Sequence, residues 1–475
     1  MRRIIAIVLL ASLMVVATQA VAFAQQQVAF PESVLGGKEV SAGQQYATAI
    51  DQVSYYNTSG LSCGMSCGDV APNCGDCCSA VTHDCFWCHE KCGGCWGGHR
   101  SCLAESGIKI EGAFTQFYQG PASGGNEQVF RYGDKLDVFV IMDTGKMGLW
   151  EGGQIDIHAV DWQMGQNAIV DATGLAPVNT AMLLPKVGEP TFATTSVQYT
   201  QMLGGGHLVT AGRINMLDLW QTFYPEYGRG IDGFMNTSMM LPLNVIPSLP
   251  LVTNGAGIIK AGERGVERAL LVFESQSSPT TVGMDFPNGV TIVGAVRKYT
   301  DFMCQPGSHT LIGVYATGEY TSYDTSGWIV VPGSGVMPAS KQGTWWAAYF
   351  GQQQLWADAC NPARKVSMFG YIGFSDPDNS PYQFTTSISI EKFGTFACRP
   401  NDRAGIGYFY NGLNSDFQNT VSLVAPIDDL HGGEVYYNAE IFKWFHLTTD
   451  LQVIQPGLVA NDTAVVLGLR GELEF

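Results

Sequence analysis

Ten of the chain's thirteen cysteines fall between residues 63 and 102: Cys63, Cys67, Cys74, Cys77, Cys78, Cys85, Cys88, Cys92, Cys95 and Cys102. Thiols at this density have three chemistries open to them. They can pair as disulfides, which hold together a short exported segment that cannot bury a core. The units Cys74/Cys77, Cys85/Cys88 and Cys92/Cys95, with His83, His89 and His99 nearby, also have the spacing of tetrahedral zinc sites. Cys85-Phe86-Trp87-Cys88-His89 spells the attachment string of a c-type haem. The even count favours a disulfide-stapled module, so no cofactor and no metal is expected. Cys304, Cys360 and Cys398 lie far downstream. Thirteen is odd, which leaves at least one thiol free or paired between chains.

The compartment decides which of these chemistries persists. Arg2 and Arg3 precede an apolar run from Ile4 to Ala17, and Ala22-Phe23-Ala24 is a small-x-small cleavage site. Residues 1–24 therefore read as a secretory signal peptide, with the mature chain starting near Gln25 in an oxidising compartment. Residues 25–60 form a polar linker with one weak helix at most, and residues 61–103 are the cysteine-rich module. Residues 104–475 are a run of strands and loops. The 42 acidic against 25 basic residues, a net charge of −17, argue against nucleic acid as a partner. After residue 24 no stretch approaches the ~18 consecutive apolar residues of a membrane helix.

The strands announce themselves by a period of two. At the C-terminus Val465, Leu467, Leu469, Leu473 and Phe475 alternate with Val466, Gly468, Arg470, Glu472 and Glu474. Val435, Tyr437, Ala439 and Ile441 alternate with Glu434, Tyr436, Asn438 and Glu440. His446, Thr448 and Asp450 oppose Leu447, Thr449 and Leu451, and Asp156 and His158 oppose Ile155, Ile157 and Ala159. A soluble all-β sandwich would alternate too, but these segments have the ~9–11 residues of a tilted bilayer-crossing strand. Charged and aromatic polar faces suit a watery lumen. The expected fold class is all-β: a transmembrane antiparallel β-barrel of about sixteen strands, preceded by the small cysteine-rich module. Connections near 303–307, 353–364, 393–402 and 442–445 then share the C-terminal side, and the longer ones near 276–289, 321–342, 376–382, 412–433 and 456–463 face outward.

Five stretches, in order, make the chain resemble the carbohydrate-selective porins of the OprB type. They are Asp143–Gly153 (DTGKMGLWEGG), Ala211–Asn215 (AGRIN), Gly405–Gly412 (GIGYFYNG), Asp450–Gly457 (DLQVIQPG) and Leu467–Arg470 (LGLR), the last leading to the terminal Phe475. The likeness covers about residues 107–475 and leaves out the cysteine-rich module. It implies a sixteen-stranded outer-membrane barrel that passes monosaccharides and related small solutes by passive diffusion, working as a monomer in outer-membrane lipid.

Such a channel needs a constriction that replaces a sugar's hydration shell without holding the sugar tightly. Mixed carboxylates, arginine and amides suit hydroxyls, and aromatic faces suit sugar rings. The residues nominated for contact are Asp156, His158, Arg213, Asn215, Asp218, Trp220, Glu226, Arg229 and Asn236, with the loop after Asn215 expected to fold inward. An Arg213–Asp218 ion pair is the structural alternative. Glu440, His446, Asp450, Arg470 and Glu472 are expected on the lumen wall. Cys304, Cys360 and Cys398 all fall at turns on the C-terminal side, so the cysteine-rich module can be tethered to the barrel there. Two other classes compete: a non-conducting envelope anchor whose module binds a partner, metal or haem, and a secreted glycosidase. No local signature nominates the carboxylate pair that a glycosidase requires.

Overall fold

The computed structural model describes residues 89–94, 96, 99–163, 172–173, 175–183, 190–227, 232–275, 289–331, 335–422 and 425–475. The expected leader, the linker, Cys63 through Cys88, Cys95 and Arg229 lie outside the described residues.

The first strands are β1 (Ile108–Ser123), β2 (Arg131–Asp143), β3 (Gly153–Gln163), β4 (Phe192–Gly204), β5 (His207–Asn215) and β6 (Val252–Gly262). They are followed by β7 (Gly265–Glu274), β8 (Val290–Phe302), β9 (Gln305–Thr321), β10 (Ile329–Val331), β11 (Gly335–Met337) and β12 (Ser340–Ala357). The last six are β13 (Lys365–Ser375), β14 (Tyr382–Phe393), β15 (Arg403–Leu413), β16 (Leu430–Phe442), β17 (Phe445–Gln455) and β18 (Ala464–Glu474). Sixteen of them close into one antiparallel barrel in which β1 pairs with β18. β10 and β11 form a separate hairpin in the connection between β9 and β12. Those two barrel strands run to 17 and 18 residues, longer than the expected ten, because their outer ends carry that hairpin.

Side-chain parity decides between a membrane barrel and a soluble one. Arg470 is 0% exposed and its neighbour Leu469 45% exposed. Glu434 and Tyr436 are buried while Val435 between them is exposed. Charges point in and aliphatics point out, the reverse of a soluble sandwich and the arrangement that lipid requires. Tyr132, Tyr315, Trp345 and Phe374 ring the outer surface towards one end, and Trp150, Phe302 and Trp356 towards the other. These are the aromatic girdles of a bilayer-spanning wall.

The two ends differ as expected. At the end shared with the C-terminus the connections are 144–152, 205–206, 263–264, 303–304, 358–364, 394–402 and 443–444. At the other end lie the long ones, among them 164–191, 216–251, 322–339 and 414–429. Ahead of β1, helix α1 (His99–Glu105) leads into the wall. The Cys92 amide donates to the Glu474 carbonyl at 2.8 Å, Lys91 pairs with the Glu474 carboxylate, and Arg100 donates to the Ile110 carbonyl at 3.2 Å. Cys92 and Cys102 carry thiols, which corrects the disulfide expectation for those two. Burial pushes the Cys92 thiol's pKa up, so it forms little of the thiolate that disulfide exchange needs.

Candidate functional site

The wall is built so that a long connection can enter it. At the end of β5, Asn215 stops the strand and caps the next helix, α2 (Met216–Phe223), by accepting from the Leu217 amide at 2.9 Å. Its side-chain amide donates to Thr195 Oγ1 on β4 at 3.1 Å, which fixes where the helix starts. Leu217, Trp220 and Phe223 form the helix's buried face. Trp220 reaches the opposite wall, with its ring 5.0 Å from Phe350 on β12 and 6.5 Å from Phe369 on β13. Further along, Asn236 caps the short helix α3 (Thr237–Met240). The Tyr371 hydroxyl on β13 donates to the Ser238 carbonyl at 2.6 Å. The 216–251 connection thus folds inward and occupies the lumen, as the sequence led us to expect.

Three wall arginines hold it there through its own backbone. Arg297 on β8 donates to the Phe223 carbonyl, Arg403 on β15 to the Glu226 carbonyl, and Arg470 on β18 to the Gly233 carbonyl at 2.9 Å. Each donor is a fixed charge on the wall aimed at a loop carbonyl, and charge-assisted bonds are the stronger class. Glu434 on β16 does the converse, accepting from the Met235 amide at 2.5 Å and the Asn236 amide at 3.0 Å. Two glycines make room for the loop. A Cβ at Gly407 would lie 2.0 Å from Met239 Cε, and one at Gly405 2.9 Å from Phe234 Cζ.

A second connection, between β3 and β4, joins the first. Asn179 donates to Gln119 Oε1 on β1 at 3.2 Å, and the Thr180 amide donates to the Met235 carbonyl at 2.8 Å. Gln452 on β17 bridges both connections, donating to the Val178 carbonyl and accepting from the Asn236 amide group, each at 3.0 Å.

The nominated residues divide into distinct groups. His158 sits between two carboxylates, with Nδ1 2.7 Å from Asp218 Oδ2 and Nε2 2.7 Å from Asp137 Oδ1. Its ring stacks on Phe139, and Lys135 closes the row 2.9 Å from Asp137. Asp218 therefore latches α2 to β3 through His158. Asp156, two residues before His158 on the same face, is partly exposed and accepts from Gln154 at 2.7 Å. Glu226 pairs with Lys365 and accepts from Gln352 at 3.1 Å. It lines a small recess with Gln352, Gln354, Lys365 and Ser367. Arg213 donates to the Thr194 carbonyl at 3.1 Å. Asn215 and Asn236 are buried helix caps, and Trp220 is packed in the aromatic cluster between loop and wall, so these three serve the scaffold.

The five wall residues all face inward. Arg470, Asp450 and Glu472 are buried. Glu440 accepts from Asn401 at 2.8 Å, and His446 contacts Asn438 Oδ1 at 3.0 Å. Sequence reasoning missed Arg297, Arg403, Glu391, Asp137 and Lys135. Each sits on an alternating strand with no motif around it, so parity was the one signal that could have found them.

Residues 129–475 match the model of a family described as carbohydrate-selective porin, OprB family. The high-pH structure of Pseudomonas putida OprB superposes with a TM-score of 0.71 at 18% identity, covering 82% of this chain and 100% of that one. The low-pH structure of Pseudomonas putida OprB superposes with a TM-score of 0.51 at 15% identity, covering 82% and 99%. At these identities the likeness speaks for the fold. No curated protein matches the sequence.

Proposed function

The chain belongs to the OprB family of carbohydrate-selective porins, and on that premise we propose that it passes monosaccharides and similar small solutes across the outer membrane by passive diffusion. The observation that carries the reading is the inward 216–251 connection, pinned to three sides of the wall inside a closed barrel of the porin family. It narrows the lumen while leaving polar groups on its free surface. Asp156, Asp218 and Glu226, with Gln352 and Lys365 beside Glu226, offer both donors and acceptors to a sugar's hydroxyls. None of these groups encloses a solute, which is what fast release requires.

Delivery follows from the leader: the signal peptide is removed after Ala24, and the chain inserts into outer-membrane lipid as a monomer. The apolar outward faces on strands throughout the wall support a lipid-exposed barrel. The carboxylates on the constriction and the net charge of −17 favour neutral and cationic solutes over anions. Planar-bilayer recording tests this. We expect steady single-channel currents with cations preferred over anions, lowered by millimolar monosaccharide. A folded barrel that carries no current would overturn the reading.

A further inference from the structure

We propose that the recess beside Glu226 is a sugar subsite that takes the exocyclic hydroxymethyl group of a hexose, so that the channel holds hexoses in preference to pentoses. This rests on the reading of the chain as a sugar channel and adds which part of the sugar the wall recognises. The recess lies where the 216–251 connection meets the wall, near the strand ends that lead into the 303–304 and 358–364 turns. Glu226 reaches it from the short turn Pro225–Tyr227. Gln352 and Gln354 continue the inward row of Ala348 and Phe350 on β12, and Lys365 and Ser367 that of Phe369 on β13. Pro306 on β9 gives it an apolar edge.

Three features limit what can enter. The first is size: there is room for about one water-sized group, which admits a hydroxyl and excludes a pyranose ring. The second is charge. Lys365 and Glu226 pair with each other, and the remaining polar side chains of the lining are amides and a hydroxyl. The lining is therefore neutral overall, and an ion would not recover its hydration there. The third is the direction of the polar atoms. Gln352 Nε2 donates to Glu226 Oε2 at 3.1 Å while its Oε1 accepts from Arg297 Nη2 at 3.3 Å, so the amide is held one way round. Gln354 donates to Gln305 Oε1 at 2.5 Å and faces Ser367 across the ladder. Donors and acceptors thus stand side by side in fixed positions. A hydroxyl is the neutral group that donates and accepts at once.

Water meets the same description, and a sugar hydroxyl that reproduces its bonds can displace it at little cost. Hydroxyls attached directly to a pyranose ring would carry the ring into the wall. The hydroxymethyl oxygen stands one carbon further out, so the ring stays in the lumen while its arm reaches past Pro306. A pentopyranose lacks that arm. It is also the smaller solute, so a plain aperture favours the pentose and the subsite favours the hexose. Contact through a single arm keeps binding weak and release fast, as passage requires.

The test is saturation-transfer NMR on the detergent-extracted full chain, titrated with glucose and with xylose. The expected half-saturating concentration for glucose is about three- to tenfold below that for xylose, the worth of one net hydrogen bond. The strongest transfer should fall on the glucose hydroxymethyl protons. Gln354→Leu and Ser367→Val, made separately and checked for a folded band on semi-native gels, should each bring the ratio towards one. Equal affinities, tighter xylose, strongest transfer to ring protons, or a ratio that survives in whichever variant folds would overturn the proposal. Binding is read without current, so the two readings fail separately. A conducting barrel with equal affinities loses the subsite alone. A folded barrel that conducts nothing loses the porin reading, while the recess is still judged by its contact with the hydroxymethyl protons.

Discussion

Arg403 does two things with one nitrogen: Nη2 bonds both oxygens of the buried Glu391 at 2.8 and 2.9 Å and also reaches the Glu226 carbonyl. Replacing it (Arg403→Ala) strands a buried carboxylate and frees the loop together, a loss of about 3–5 kcal/mol for breaking a buried pair. The folded barrel should then lose its compact band on semi-native gels at a clearly lower temperature, and an unshifted transition would refute the clamp. Arg403→Lys should recover only part, since an ammonium keeps the charge and loses the fork. The two thiols make a second residue-level case. Cys102 is exposed, and burial raises the Cys92 pKa. At pH 7 a maleimide should label Cys102 first, and the gap should narrow as pH rises, because the thiolate is the reacting form. Equal rates at pH 7 would contradict the seat of residue 92 against the barrel. The two cases differ in legibility. The inward direction of Arg470 and Glu472 could be read from alternation, whereas the Arg403 partners Glu226 and Glu391 lie 177 and 12 residues away with no local pattern to link them.

At the scale of elements, α2 lies inside the wall with its first turn latched through Asp218 and His158. Asp218→Ala removes one charge-assisted bond of about 1.5–3 kcal/mol. It should loosen the start of the helix without unfolding the barrel, which is held by its strand ladder. The expected outcome is faster disaccharide entry into proteoliposomes with monosaccharide entry little changed. Unchanged disaccharide entry would show that the latch does not set the aperture. The strands were legible because a period of two in burial leaves a period of two in sequence. That the 216–251 connection turns inward was legible too, from its polar and aromatic content after a strand end. What its residues do was not. Asn215 and Asn236 read equally well as sugar contacts and as helix caps, and the local bond to the Leu217 or Ser238 amide settles which. Trp220 offered a sugar platform by type but packs between Tyr224 and Phe350. The 164–191 connection carried no comparable cluster of charge, so its share in the constriction became visible only through Asn179, Thr180 and Val178.

Taken whole, the molecule is a closed wall with charge inside, aliphatic and aromatic groups outside, two connections folded into the lumen and short turns at the end where the chain terminates. Each of these features suits passage of a polar solute through lipid. The most direct measurement is swelling of liposomes containing the purified, detergent-extracted protein, compared for a monosaccharide, a disaccharide and an anion of similar size. The expected result is fast monosaccharide entry, slower disaccharide entry and the slowest entry for the anion. Absence of swelling with all three solutes, with the barrel shown to be folded, would contradict it and leave a closed envelope anchor in its place.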